Sequence, residues 1–146
     1  MKIIGAVLII VSCGLLGLNF YKKCISKLKF TQCLIDGLEY IKNEISFTQP
    51  LLYQTFIDAA EFSGSAGDFF KELGELISVD GITLEEAFVK SKFPLKASSN
   101  NQVYSVIHDI VLQLGMGDTE NQINLLNSAI NKLKTNYNNQ KAFCEK

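Results

Sequence analysis

Lys2-Ile-Ile-Gly-Ala-Val-Leu-Ile-Ile-Val-Ser-Cys-Gly-Leu-Leu-Gly-Leu-Asn-Phe-Tyr-Lys-Lys23 opens the chain, and its reading governs everything after it. From Ile3 to Leu18 there is no charge, and Ser12 is the most polar side chain. Ile3 to Tyr21 is 19 residues. As a helix they rise about 28 Å, close to the ~30 Å hydrocarbon core of a bilayer. Water does not reach that core, so the backbone must satisfy its own hydrogen bonds as helix. Tyr21, Lys22, Lys23, Lys27 and Lys29 follow directly. An aromatic at the interface followed by clustered lysines stops and orients a single-pass helix. These four lysines set the topology against Lys2 and the α-amino group, and they place the rest of the chain in the cytoplasm. Residues 1–21 are therefore expected to be a transmembrane anchor and 22–146 a cytoplasmic domain.

Three other readings compete for the segment. A cleavable signal peptide needs a small-x-small site after a short apolar region. Ser12 and Gly14 frame one, but Leu15, Leu16 and Leu18 carry the apolar run past it. Ile10-Val-Ser-Cys13 imitates a lipoprotein processing site, which would leave a leader with one lysine and an acylated residue in mid-run. A buried core helix has this length too, and the flanking charges argue against it. An uncleaved anchor fits best.

Composition bounds the remainder. About 120 residues follow the anchor, enough for one domain with a core but not for two. Lys+Arg 14 against Asp+Glu 15 leaves a net charge of −1, so no basic field points to nucleic acid. There is no arginine, which removes the bidentate phosphate reader. No linker, low-complexity run or fixed-period repeat is present.

Beyond the anchor the periodicity is helical throughout. Ile25, Leu28, Ile35, Leu38, Ile41 and Ile45 recur at spacings of three, four and seven, an apolar stripe. Nothing between Phe20 and Ile25 breaks the helix, so it can run straight out of the membrane. Thr48 is placed to cap the next helix with Pro50 in its first turn, and Leu51, Leu52, Phe56, Ile57 and Ala60 form its apolar face. Ser63-Gly-Ser-Ala-Gly67 has the composition of a turn. Asp68 is expected to cap a helix carrying Phe69, Phe70, Leu73, Leu76 and Ile77. Val79-Asp80-Gly81-Ile82 reads as a tight turn, and Thr83-Leu-Glu-Glu86 as a capping box. The helix of Leu84, Ala87 and Phe88 must end before Phe93-Pro94. Ser98 or Ser99 starts the next, with Val103, Val106, Ile107, Ile110 and Leu114. Gly115-Met-Gly117 closes it with residues that take positive φ. Asp118 caps the last helix, with Glu120 favourable at its positive end and a stripe of Ile123, Leu126, Ile130, Leu133 and Tyr137. No run alternates strictly as a strand does. The expected fold is all-α, an N-terminal transmembrane helix followed by an antiparallel bundle of about six helices.

Leu114-Gly-Met-Gly-Asp-Thr-Glu-Asn-Gln122, flanked by long amphipathic helices, resembles the Leu-Gly-x-Ser-Asp-x-x-x-Gln turn of the stage III sporulation protein AB family. The opening Lys-Ile-Ile-Gly-Ala-Val-Leu-Ile-Ile is similar to that family's start. Glu39-x-x-x-x-Glu44-Ile45 followed by Pro50-Leu51 is similar to its first-helix exit. The resemblance covers essentially the whole chain. It implies a component of the channel apparatus between mother cell and forespore, anchored in the cell membrane with its bundle on the mother-cell side. It also implies a soluble part resembling the cytoplasmic domain of type II secretion and pilus platform proteins. Two departures stand out. Gly117 replaces the family's usual serine, which costs little at a turn. The chain as given stops at Phe143-Cys-Glu-Lys146, where the family usually has a second apolar segment, so two-point anchoring is not carried over.

Catalytic and metal-binding patterns are not found. His108 is the only histidine, and Asp109 beside it points about 100° away around the helix. The carboxylates Glu39 and Glu44, or Glu85 and Glu86, have no neighbouring base or metal set and read as a solvated face. Cys13, Cys24, Cys33 and Cys144 contain no C-x-x-C pair, and Cys24 and Cys33 fall on opposite sides of one helix. All four are expected to be reduced thiols. Gly64, Gly67, Gly115 and Gly117 lack the lysine and strand context of a phosphate loop. No catalytic residue, cofactor or metal is expected. Cys13 and Gly17, with Gly14 between them, form a small-residue set that would let another membrane helix approach closely. Two functions of different class remain. One is a membrane platform subunit contacting other membrane subunits and a cytoplasmic ATPase, with self-association of the bundle left open. The other is an unrelated membrane-anchored adaptor or small-ligand sensor, which would need convergent polar groups in its core.

Overall fold

A computed structural model describes residues 2–93 and 101–146, the side chains of Lys2 and Asn101 excepted. Among the described residues six α-helices are delimited: α1 (Lys2–Phe47), α2 (Leu52–Phe62), α3 (Gly67–Asp80), α4 (Leu84–Lys90), α5 (Asn101–Gln113) and α6 (Thr119–Cys144). A short 3-10 turn, Gly64–Ala66, joins α2 to α3, and the described residues contain no strand. The starts expected at Ser98 or Ser99, and Pro94, lie outside the described residues.

The anchor and the first bundle helix are one element of 46 residues. No proline interrupts it, and the charged residues begin only where the apolar run ends. None of its most apolar window is buried inside the protein. Ile25 is still 41% exposed, and burial starts at Leu28. From there Leu34, Ile35, Leu38, Ile41 and Ile45 enter the core. The buried stripe begins one turn later than its periodicity alone indicated, because at the level of Ile25 α1 faces an open cleft beside the end of α6.

Three ties set α6 antiparallel against α1. Cys24 meets Cys144 with a Cα–Cα distance of 6.2 Å. Lys134 Nζ donates to Glu39 Oε1 at 2.7 Å. Gln49 Nε2 donates to Thr119 Oγ1 at 2.8 Å. Residue numbers rise on one helix as they fall on the other, so the end of α6 returns to the membrane exit of α1. The α5–α6 hairpin therefore lies at the opposite tip.

Between these ends α2 and α3 pack at very short range. A Cβ on Gly67 would lie 2.6 Å from the Ala60 carbonyl oxygen, and one on Gly74 would lie 2.8 Å from that of Tyr53. Glycine on α3 is what permits the approach. Gly37 does the same for α1, since a Cβ there would collide with Ser63 Oγ and the Phe70 ring. Phe69, Phe70, Phe88 and Phe93 fill the interior beyond, with Phe69 and Phe93 centroids 4.5 Å apart. Tilted and edge-on ring pairs of this kind add to the burial of their area.

Several starts and stops follow the sequence rules. Thr83 Oγ1 accepts from Glu86 N–H at 3.3 Å, and Thr83 N–H donates to Glu86 Oε2 at 3.4 Å, the reciprocal capping box. Gly81 ends α3 in the left-handed region at φ 61°. Others are corrected. Thr48 does not cap α2: its hydroxyl donates back to the Glu44 carbonyl at 3.0 Å and closes α1. Leu51 is the N-cap of α2 without a side-chain bond, and Pro50 precedes the helix. Asp68 lies inside the first turn of α3, after an N-cap at Ala66. Leu51 is 65% exposed rather than part of the apolar face.

Candidate functional site

His108 is half-buried on α5, with its ring 6.0 Å from both Phe88 and Tyr104. It belongs to the aromatic layer. The described residues hold no group of three or more His, Cys, Asp or Glu side chains placed to bind a metal. Every fully buried side-chain polar atom among them has a hydrogen-bond partner. Glu39 forms the ion pair with Lys134, and Glu86 serves the capping box. Burial, and then the carboxylates of Glu44, Asp58 and Glu61, raise the pKa of Tyr40 above its ordinary value. Tyr40 stacks on Phe62 at 4.8 Å where α1 meets α2.

A hollow of about 740 Å³ is an open groove between α5 and α6. Gln102, Ser105, Asp109, Asn131, Thr135 and Asn139 are among the side chains that line it. Asn136 at its edge donates to Gln102 Oε1 at 2.6 Å.

The two ends of the bundle carry the remaining features. At the membrane-distal tip, Gly115 and Gly117 have φ of 88° and 100°. Asn121 N–H donates to Asp118 Oδ1 at 3.0 Å, so Asp118 is the N-cap of α6. Gln122 Nε2 donates to the Gly117 carbonyl at 3.3 Å, which accounts for a glutamine four residues after the capping aspartate. Gln49, at φ 45°, reaches across to Thr119 and joins the α1–α2 connection to this hairpin. Phe47 (85% exposed), Met116 (74%) and Leu51 project from the joined turns.

At the membrane end, Lys22, Lys23, Lys27 and Lys29 are all exposed on α1. Cys13, Gly14 and Gly17 are exposed too, and a Cβ on either glycine would meet nothing within 4 Å. The small-residue face is therefore open along the anchor. The cysteine expectation is corrected in part. Cys13 and Cys33 are free thiols, but Cys24 and Cys144 form a disulfide. The partners stand 120 positions apart, and only the antiparallel register of α1 and α6 brings them together. Spacing within one helix carries no trace of that pairing.

Set beside models of protein families, the chain matches the one described as Stage III sporulation protein AB over residues 2–146. Neither the curated proteins nor the solved structures yield a match to it.

Proposed function

This chain belongs to the stage III sporulation protein AB family and has its place in sporulation, and on that premise we propose that it is a non-enzymatic membrane platform subunit. It would act in the channel apparatus between mother cell and forespore, holding other membrane subunits and a cytoplasmic ATPase in register. The observation that supports this most is α1. One unbroken helix contains the whole anchor and also supplies the bundle's central apolar face from Leu28 to Ile45. A rotation or axial shift of the anchor is therefore a rotation or shift of the bundle, as a platform requires and a tethered adaptor does not.

In this reading the anchor faces other membrane helices through Cys13, Gly14 and Gly17, where small side chains permit close backbone approach. The tip bearing Phe47, Leu51 and Met116 stands about 39 Å beyond Tyr21, from 26 residues of helical rise. We assign it to the cytoplasmic ATPase. The lysines after Tyr21 favour the cytoplasmic, mother-cell side for the bundle. Disulfides persist in oxidising compartments, so on that side Cys24 and Cys144 stand as a thiol pair that closes on oxidation.

The test exchanges residues 3–20 for an unrelated anchor of equal length, retaining Lys22 and Lys23. Equal length preserves the height and rotation of the bundle, so only the lipid-facing side chains change. The exchanged protein should stay folded and membrane-bound but fail to join the complex in sporulating cells. Incorporation at the parent level would refute a specific role for the anchor.

A further inference from the structure

The return of α6 to the membrane builds a second feature beside the anchor. Because Cys144 meets Cys24, the last turn of α6 lies about 4.5 Å along the axis past Tyr21, three residues of helical rise. That is the depth of lipid headgroups. Two clefts flank the crossing. One, about 600 Å³, is lined in part by Tyr21, Ile25, Lys29, Tyr137, Lys141 and Glu145. The other, about 330 Å³, includes Phe20, Cys24, Lys27, Gln140 and Phe143. Along α1 both pass from apolar to cationic with distance from the membrane, Tyr21 and Ile25 to Lys29 in one and Phe20 to Lys27 in the other. Phe20, Tyr21 and Ile25 are exposed at the lower rim, and Phe143 beside them is 69% exposed.

The charge is one-sided. Lys22, Lys23, Lys27, Lys29 and Lys141 gather here, and the carboxylate among the cleft-lining residues is Glu145, 4.0 Å from Lys141. The whole chain carries −1, so this positive end is set against an acidic remainder. Ammonium groups above an aromatic and aliphatic rim match one partner chemistry, a phosphate ester carrying acyl chains. Without arginine the phosphate would be held by point charges and by the Tyr137 and Gln140 side chains, while Gln32 donates to Asp36 Oδ1 at 2.9 Å.

We propose that the clefts on either side of Cys24–Cys144 bind anionic phospholipid, with Lys27 on one side and Lys29 and Lys141 on the other taking the headgroup phosphate while Phe20, Ile25 and Phe143 meet the acyl region. Occupied clefts fix the end of α6 at the membrane surface and so add a lipid contact beside that of α1. This holds whichever proteins the bundle meets, and its failure leaves the platform reading untouched.

The test uses the full chain in an uncharged detergent with phosphatidylglycerol and phosphatidylcholine of identical acyl chains, read by native mass spectrometry. Each lysine near an anionic headgroup is expected to contribute roughly fivefold in affinity. Phosphatidylglycerol should therefore be retained over phosphatidylcholine by at least about tenfold. Replacing Lys27, Lys29 and Lys141 together by glutamine should bring the ratio near one. Replacing Lys90, Lys92 and Lys132, exposed lysines away from the clefts, should leave it unchanged. Circular dichroism melts would show both variants folded, and Lys29→Gln or Lys141→Gln alone should each lower the preference about fivefold. Equal retention of the two lipids by the parent overturns the proposal. So does a cleft variant that keeps the parent preference. Inorganic phosphate should not compete; if it strips the lipid, the site reads phosphate alone and the lipid assignment is wrong.

Discussion

Replacing Gly74 by alanine tests the closest packing in the bundle. Gly74 is buried at the middle of α3, facing α2. The added Cβ would sit 2.6 Å from Ile57 Cγ1, 2.8 Å from the Tyr53 carbonyl oxygen and 3.2 Å from the Ile57 amide nitrogen. The Ile57 side chain can turn aside, but the two backbone atoms belong to α2 and move only if the helices separate. Overpacking of this kind costs about 1–3 kcal/mol. Alanine returns up to about 1 kcal/mol through its better helix propensity. Because the obstruction is backbone, the upper half of the first range applies, and the net loss is about 1–2 kcal/mol. For a chain of this size that lowers the melting temperature by roughly 2–8 °C. Far-ultraviolet circular dichroism melts of the full chain in detergent would read it. Gly14→Ala is the internal control, since its Cβ would meet nothing within 4 Å, and it should melt with the parent. A Gly74→Ala variant that melts at or above the parent would refute the close α2–α3 approach.

The tip hairpin offers a second measurement: Asp118→Ala removes the acceptor of Asn121 N–H and should cost about 1 kcal/mol. Gly117→Val should cost more, because φ there is 100° and a β-branched residue is strained in that region; if both variants melt with the parent, the hairpin geometry is wrong. Under oxidising conditions Cys144→Ser should destabilise by about 2–4 kcal/mol through the lost cross-link and abolish any response of the melt to added reductant. An unchanged melt would show that Cys24 and Cys144 are not joined. A reporter active only outside the membrane, fused after Lys146, should be silent in cells, and an active fusion would overturn the cytoplasmic placement.

What the residues determined alone is local. The anchor and its continuation into α1 were legible because an unbroken apolar helix needs only its own backbone bonds and the absence of a breaker. The capping box at Thr83 and Glu86, and the turn of Gly115, Gly117 and Asp118, were legible because their partners lie within a few positions. Where local rules offered two uses for one group, the outcome depended on surroundings: the Thr48 hydroxyl closes α1 instead of opening α2. Periodicity named the apolar stripes but not their extent, so Ile25 and Leu51 continue a pattern at positions that the fold leaves exposed. Gly37, Gly67 and Gly74 carry no local signal, since their role is to admit atoms of another helix. The Cys24–Cys144 pair and the lysine-lined clefts beside it belong to the same class. Their residues meet only because α6 runs antiparallel to α1 in a single register, and register is a property of two packed surfaces that neither sequence segment holds by itself.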